Sequence, residues 1–323
     1  MTNSPATISR DRLRRGVVML PWAVACAMLG YAFVAGGYFV TIMSFAMIYA
    51  VFIIGLNIFM GFAGQVSFGH NAFAALSGYA SAILSATYYW DPIPAFAVGL
   101  GLALLVALVV GWPTLRLKGH YLAMATLAIG LIVYEIAIQW QSVTQGYMGI
   151  SGIAPLGVAG YEVVSDRGKL FVLVVIAAIA TFAAVRLRAS RFGRALVAIA
   201  GSEDAARALG IEVARYKLAA FMISAAYAAL AGSLFVHVVE FVSPEVFGLH
   251  MVVLAFTMLY VGGIGTIGGP LLGAVIVSLL PELFRGFKEY QDLFYGAGLI
   301  VLLIYAPKGL AGLGHLISRG GKA

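Results

Sequence analysis

Uncharged hydrogen-bonding groups crowd into one short stretch, Gly61-Phe62-Ala63-Gly64-Gln65-Val66-Ser67-Phe68-Gly69-His70-Asn71, which separates two long apolar runs. Irregular backbone in such a place is tolerated only where protein covers it or a wet cavity receives it. Facing a cavity, Gly64 would admit close backbone approach, while Gln65, Ser67 and Asn71 would present hydrogen-bonding groups. Covered by protein, the stretch is a plain turn in which Gln65 and Ser67 cap helix ends and His70 packs. Both readings remain open on the residues alone. A second run, 261–273 (VGGIGTIGGPLLG), repeats this composition, with Gly262 and Gly265 at the spacing of Gly61 and Gly64. Duplicated sets of spans produce paired interruptions of this kind, and such pairs flag a transport site.

Ionisable groups inside the apolar runs are nearly absent, Glu135 being the exception, one helical turn before Gln139. It reads either as a cavity-lining carboxylate or as a structural group that snorkels or is paired through a neighbouring helix. A carrier driven by protons needs more than one such group. Between the apolar runs, Ser202-Glu203-Asp204-Ala205-Ala206-Arg207-Ala208-Leu209-Gly210 has the marks of a short helix. Ser202 caps it, Glu203 and Asp204 favour its N-terminus, and Gly210 stops it. Its Ala205-Ala206 face and glycine exit suit docking in another protein's groove; a plain amphipathic surface helix has the same residues.

The elements that carry these groups follow from composition. The chain has 323 residues, 62% hydrophobic and 10% charged, with mean hydropathy +1.00. Soluble domains carry about a quarter of charged residues, so this is a membrane protein. Apolar runs fall at 16–36, 38–60, 71–90, 93–112, 120–140, 169–187, 218–240, 251–268, 270–284 and 293–307. With about 20 residues per crossing, the expected fold is an all-α polytopic transmembrane bundle of about eight to ten spans. The last two runs are short enough to be partial spans.

Placing the N-terminus in the cytoplasm puts sixteen of the twenty basic residues on that side, among them Arg116, Lys118 and the seven from Arg186 to Lys217. The positive-inside rule is met, and the C-terminus is cytoplasmic as well. The net charge of +7 is then topology rather than nucleic-acid binding. The expected organisation is a cytoplasmic tail over 1–15, a transmembrane domain over 16–307 containing a cytoplasmic loop at 188–217, and a tail over 308–323. The first run contains Pro21 and continues to Ala35, which suits an uncleaved anchor better than an export signal. A lone Cys26 excludes a disulfide framework or a cysteine-rich metal site within one chain. No phosphate-cradling Gly-x-x-x-x-Gly-Lys-Ser/Thr occurs, and Gly263-x-Gly265-x-x-Gly268 lacks the strand and acidic partner of a dinucleotide site. Ser224, Ala228 and Gly232, with Ala225, Ala229 and Ser233 beside them, predict close helix packing.

Asp204-Ala205-Ala206-x-x-x-Gly210 resembles the EAA loop of ABC-importer permeases, with Asp in place of the usual Glu and without the Ile-x-Leu-Pro that often follows. The fuller resemblance is to the M-type permease subunit of high-affinity branched-chain amino-acid importers. It is carried by Gly55-Leu56-Asn57; Gly64-Gln65-x-Ser67-x-Gly69-His70-x-x-Phe73; Leu115-Arg116-Leu117-x-Gly119-x-Tyr121-x-Ala123-x-x-Thr126-Leu127; Thr144-x-Gly146-x-x-Gly149; Phe192-Gly193-Arg194-Ala195 through Arg215-Tyr216-Lys217; and Gly262-Gly263-x-Gly265-x-x-x-Gly269-Pro270. Ser77-Gly78-Tyr79 stands where the family often has Gly-Ala-Tyr.

The resemblance implies a bacterial inner-membrane permease, not an enzyme, paired with a homologous H-type permease. Two ATP-binding cassette subunits would hold the ATP, so that this chain needs no cofactor of its own, and a periplasmic binding protein would deliver the solute. Glu203, Asp204, Ala205, Ala206, Arg207 and Gly210 would then couple to the ATPases, and Gly64, Gln65, Ser67, His70, Asn71, Glu135 and Gly265 would lie along the solute path. Relatives of the family carry urea, short amides and aromatic acids, which are alternative cargoes. A proton-coupled carrier using Glu135 and a passive channel are the competing classes.

Overall fold

In the computed structural model the apolar runs become helices that end where glycine, proline or charge interrupts them. Residues 37–158 and 161–283 are described, with isolated positions beyond them. The helices are α1 (Tyr38–Asn57), which winds on through a π-turn at Ile58–Phe62, α2 (His70–Ala86), α3 (Pro92–Thr114), α4 (His120–Gln139), α5 (Asp166–Ala189), α6 (Arg191–Gly201), α7 (Glu203–Ala208), α8 (Val213–Val239), α9 (Leu249–Gly262) and α10 (Gly269–Leu283). Among the described residues the strands are two residues each: Ile150–Ser151 pairs with Phe241–Val242, and Gly157–Val158 with Tyr161–Glu162, both antiparallel. The runs at 16–36 and 293–307 and both tails fall largely outside the described residues.

Six described segments are long and apolar enough to cross a bilayer: Tyr38–Phe62, Pro92–Thr114, His120–Gln139, Asp166–Ala189, Val213–Val239 and Pro244–Gly262. Two further helices are shorter, α2 with 17 residues and α10 with 15. At about 1.5 Å per residue, α2 falls a little short of the hydrocarbon thickness. The polytopic helical architecture expected from composition is the one observed.

α1 and α8 form the centre, with 78% and 61% of their most apolar windows buried, and α3, α4 and α5 form an outer ring at 22 to 28%. Small residues let the central helices touch. Ser224, Ala225, Ala228, Ala229 and Ser233 of α8 are all fully buried. A Cβ on Gly232 would collide with the Ala74 backbone of α2, and one on Gly111 of α3 would come within 2.8 Å of the Phe221 ring. With packing this close, hydroxyl groups bond across helices: Ser77 and Ser233 approach to 2.7 Å.

The helices run between two poles. At one, Gln65 meets Glu203 and Arg188 meets Gly265; α6 and α7 lie there. At the other, the amide of Ala154 donates to Ser85, Lys169 pairs with Glu240, and His237 lies 2.7 Å from both Ser81 Oγ and the Ala154 carbonyl. Because a carbonyl only accepts, His237 Nδ1 carries the proton and Nε2 accepts from Ser81.

Candidate functional site

The two glycine interruptions that match in spacing also meet in space. Asn57, 2% exposed at the end of α1, donates from Nδ2 to the Thr266 carbonyl at 2.7 Å and accepts the Gly265 amide on Oδ1 at 2.8 Å. Arg188, at the end of α5, donates to the Gly265 carbonyl at 2.6 Å and lies over the Phe62 ring at 4.6 Å. Non-helical backbone away from water must find partners for each polar group. Here two side chains satisfy both backbone groups of Gly265. Its φ of +75° and the 2.6 Å that would separate a Gly61 Cβ from its amide nitrogen explain why glycine stands at both places.

Beside this junction lies the short helix read from the sequence. Ser202 Oγ accepts the Ala205 amide at 3.2 Å, as expected of an N-cap. The other end closes in a Schellman arrangement, with Ile211 N donating to Ala206 O at 3.1 Å and Gly210 N to Arg207 O at 3.0 Å. Gly210 adopts φ +81° with open space around it; it is needed for its backbone, not for fit. Ala206 is 1% exposed and packs with Ile199 and Val213, so it seats α7 on the bundle. Asp204, Ala205 and Ala208 face outward, as does Leu209, an apolar side chain 81% exposed.

Glu203 joins the helix to the rest of the site. Its Oε1 accepts from Lys217 Nζ at 2.8 Å and from Gln65 Nε2 at 3.2 Å. The Lys217 side chain is 3% exposed and that of Glu203 18%. Burial alone would raise the Glu203 pKa, but the hydrogen bond and charge of Lys217, the Gln65 amide and the charge of Lys118 outweigh it and hold the carboxyl below its ordinary value. A single carboxylate thus ties α7, the base of α8 and the segment 61–69 together. Asp204 pairs with Arg207 at 2.9 Å on the exposed side.

Of the residues read as a solute path, Gln65, Ser67, His70 and Asn71 are buried. Neither Gln65 nor Ser67 caps a helix: Gln65 reaches Glu203, and Ser67 Oγ lies 2.9 Å from His70 Nδ1. The His70 ring sits among Phe59, Phe73 and Phe221 with Nε2 unpartnered. Asn71 donates to the Phe247 carbonyl at 2.8 Å, and Gly130 makes room for it, since a Cβ there would lie 2.6 Å from Asn71 Oδ1. Gly64 and Val66 are exposed, and Phe68 stacks on Phe256 of α9 at 4.4 Å. Glu135 lies exposed near the opposite pole, accepting from Gln139 at 2.8 Å. The structure therefore gathers Gly64, Gln65, Gly265, Glu203 and Gly210 at one pole and leaves Glu135 apart. Asn57, Arg188, Lys217 and Leu209 complete the arrangement. Asn57 had a signal, as the polar residue closing an apolar run; the other three had none beyond their charge or their position in the loop.

Residues 38–303 match the family described as branched-chain amino acid transport system / permease component. The chain belongs to this family. The permease is 33% identical over 297 residues to the high-affinity branched-chain amino acid transport system permease protein LivM of Escherichia coli K12, covering 84% of this chain and 69% of that one. It is 29% identical over 286 residues to LivH of the same organism, covering 82% and 91%. To the probable branched-chain amino acid transport permease protein LivM of Methanocaldococcus jannaschii it is 27% identical over 260 residues, covering 72% and 73%. No solved structure matches the permease.

Proposed function

We propose that this permease is the M-type half of an ATP-driven importer of branched-chain amino acids, moved by ATPase subunits that grip α7. The observation that carries the reading is the Glu203 junction. A helix with an outward face of Asp204, Ala205, Ala208 and Leu209 is bonded through one carboxylate to Lys217 of α8 and to Gln65. Force applied to α7 therefore reaches both the central helix and the interrupted segment next to Gly265. A ligand or partner shifts a conformational equilibrium only by what it binds differently in each state, and a helix seated by a few polar contacts supplies such a difference.

Positive charge supports placing the α7 pole in the cytoplasm, since Arg116, Lys118 and the basic residues from Arg186 to Lys217 gather there. Two homologous permeases, one M-type and one H-type, fit the likeness to both LivM and LivH. A binding protein would deliver solute to the other pole. The solute path then runs along the face where Gly64 emerges beside α6 and Phe68 lies between α4 and α9, with Gln65, Ser67, His70 and Asn71 supporting it from behind and Glu135 near its outer end. Substituting Leu209→Asp tests the grip. The permease should still reach the membrane, while copurification of the ATPase subunits and ATP-driven leucine uptake are lost together; ATPases retained at the wild-type ratio would refute the docking.

A further inference from the structure

At the α7 pole, α3 ends in a cleft of about 340 Å³ lined by Trp112, Arg116, Lys118, Glu203, Arg207 and Arg215 together with apolar neighbours. Its charges do not cancel. Glu203 is paired with Lys217, Asp204 with Arg207 and Glu212 with Arg215, so every carboxylate near the cleft is spoken for. Arg116 and Lys118 form no ion pair among the described residues, and the Arg116 guanidinium lies over the exposed Trp112 ring at 4.2 Å.

The helix leading to this cleft is as apolar as any among the described residues. Leu102, Leu105, Val109 and Trp112 are exposed along α3 at alternating intervals of three and four residues, which forms one continuous stripe that ends at Arg116. Only 22% of the α3 window is buried within the chain. A tryptophan at the end of a lipid-facing stripe marks the level of the headgroups, and basic pockets between helices on the cytoplasmic side bind anionic headgroups.

We propose that this cleft is a binding site for the phosphate of an anionic phospholipid, whose acyl chain lies along the stripe from Leu102 to Trp112 while Arg116 and Lys118 hold its headgroup. The orientation rests on the cytoplasmic placement of α7; the geometry of cleft and stripe does not. With Lys217 and Glu203 forming one wall, a bound lipid lies against the carboxylate junction that seats α7. Lipid composition would thus act on the permease at its moving part.

The test uses the full-length chain reconstituted in vesicles containing either dibrominated phosphatidylglycerol or dibrominated phosphatidylcholine at equal mole fraction. The Trp112 signal is the difference between wild type and Trp112→Phe. A preference of about fivefold for each unpaired basic side chain is expected, so phosphatidylglycerol should quench Trp112 far more strongly. Arg116→Gln with Lys118→Gln should make the two lipids equal, as should raising the salt with wild-type protein. Equal quenching of wild type by both lipids at low salt would overturn the proposal. So would a preference that survives the double substitution. If inorganic phosphate removes the preference at an ionic strength where sodium chloride leaves it intact, the site takes the free anion and the lipid assignment fails, whether or not the solute reading of this permease stands.

Discussion

Replacing Glu203 by Gln removes one charge from a pair whose other member has nowhere to go. The Lys217 side chain is 3% exposed and its ammonium bonds Glu203 at 2.8 Å. Removing one partner of a buried pair costs about 3–5 kcal/mol; the 18% exposure of Glu203 places this case near the lower end. About 3 kcal/mol corresponds to roughly a hundredfold shift between seated and unseated α7. Amide hydrogen exchange reads this directly: protection across 203–211 should fall about a hundredfold in Glu203→Gln while the middle of α8 keeps its own. Adding Lys217→Met removes the stranded charge and should restore most of the protection, because the larger part of the cost of breaking a buried pair is the uncompensated charge left behind. The pH dependence has a definite sign. Since folding lowers the Glu203 pKa, the pair contributes fully above the unfolded carboxyl pKa and is lost as pH falls through the lower folded value. Wild-type α7 should loosen in that acid window and Glu203→Gln should show no transition there. Unchanged exchange in Glu203→Gln, or a double variant no better than the single, would refute the reasoning.

Two further substitutions probe neighbouring parts of the site. Gly210→Ala puts a side chain at φ +81°, which costs about 1–2 kcal/mol; with open space around the residue, exchange at the α7 C-terminus should rise about tenfold while helix content by circular dichroism stays the same. Asn57→Leu strands the Gly265 amide and the Thr266 carbonyl, so the purified permease should lose about 2 kcal/mol of stability, seen as a lower melting temperature in detergent. A melting temperature equal to wild type would show that water satisfies those groups instead.

Among the described residues, the positions of most apolar helices and the α7 caps were legible in the sequence because they depend on local signals: apolar length, glycine, proline and Ser202. The α8 packing face was legible too, since small residues four apart have one physical use in a bundle. The matched glycine interruptions read as the flag of a transport site, and nothing in their spacing says that they touch or what holds them. Asn57 and Arg188 reach Gly265 from 208 and 77 positions away in sequence, and nothing local marks such a pairing. Ala206 illustrates the converse. Its motif was visible, yet the Ala205-Ala206 pair divides, with Ala206 turned inward and Ala205 out, because α7 packs on Ile199 and Val213. Gln65, Ser67, His70 and Asn71 were open to two readings on composition; burial now shows them bonded within the protein rather than capping helices. Glu135 was the lone ionisable candidate, and the structure gives it Gln139 on an exposed face.

Leucine uptake into proteoliposomes, with the chain reconstituted alone or together with an H-type permease, two ATPases and a binding protein, tests the dependence on α7 most directly. Concentrative uptake is predicted only with all partners and ATP, and should vanish in Leu209→Asp. Accumulation by the chain alone under a proton gradient, without ATP, would contradict it.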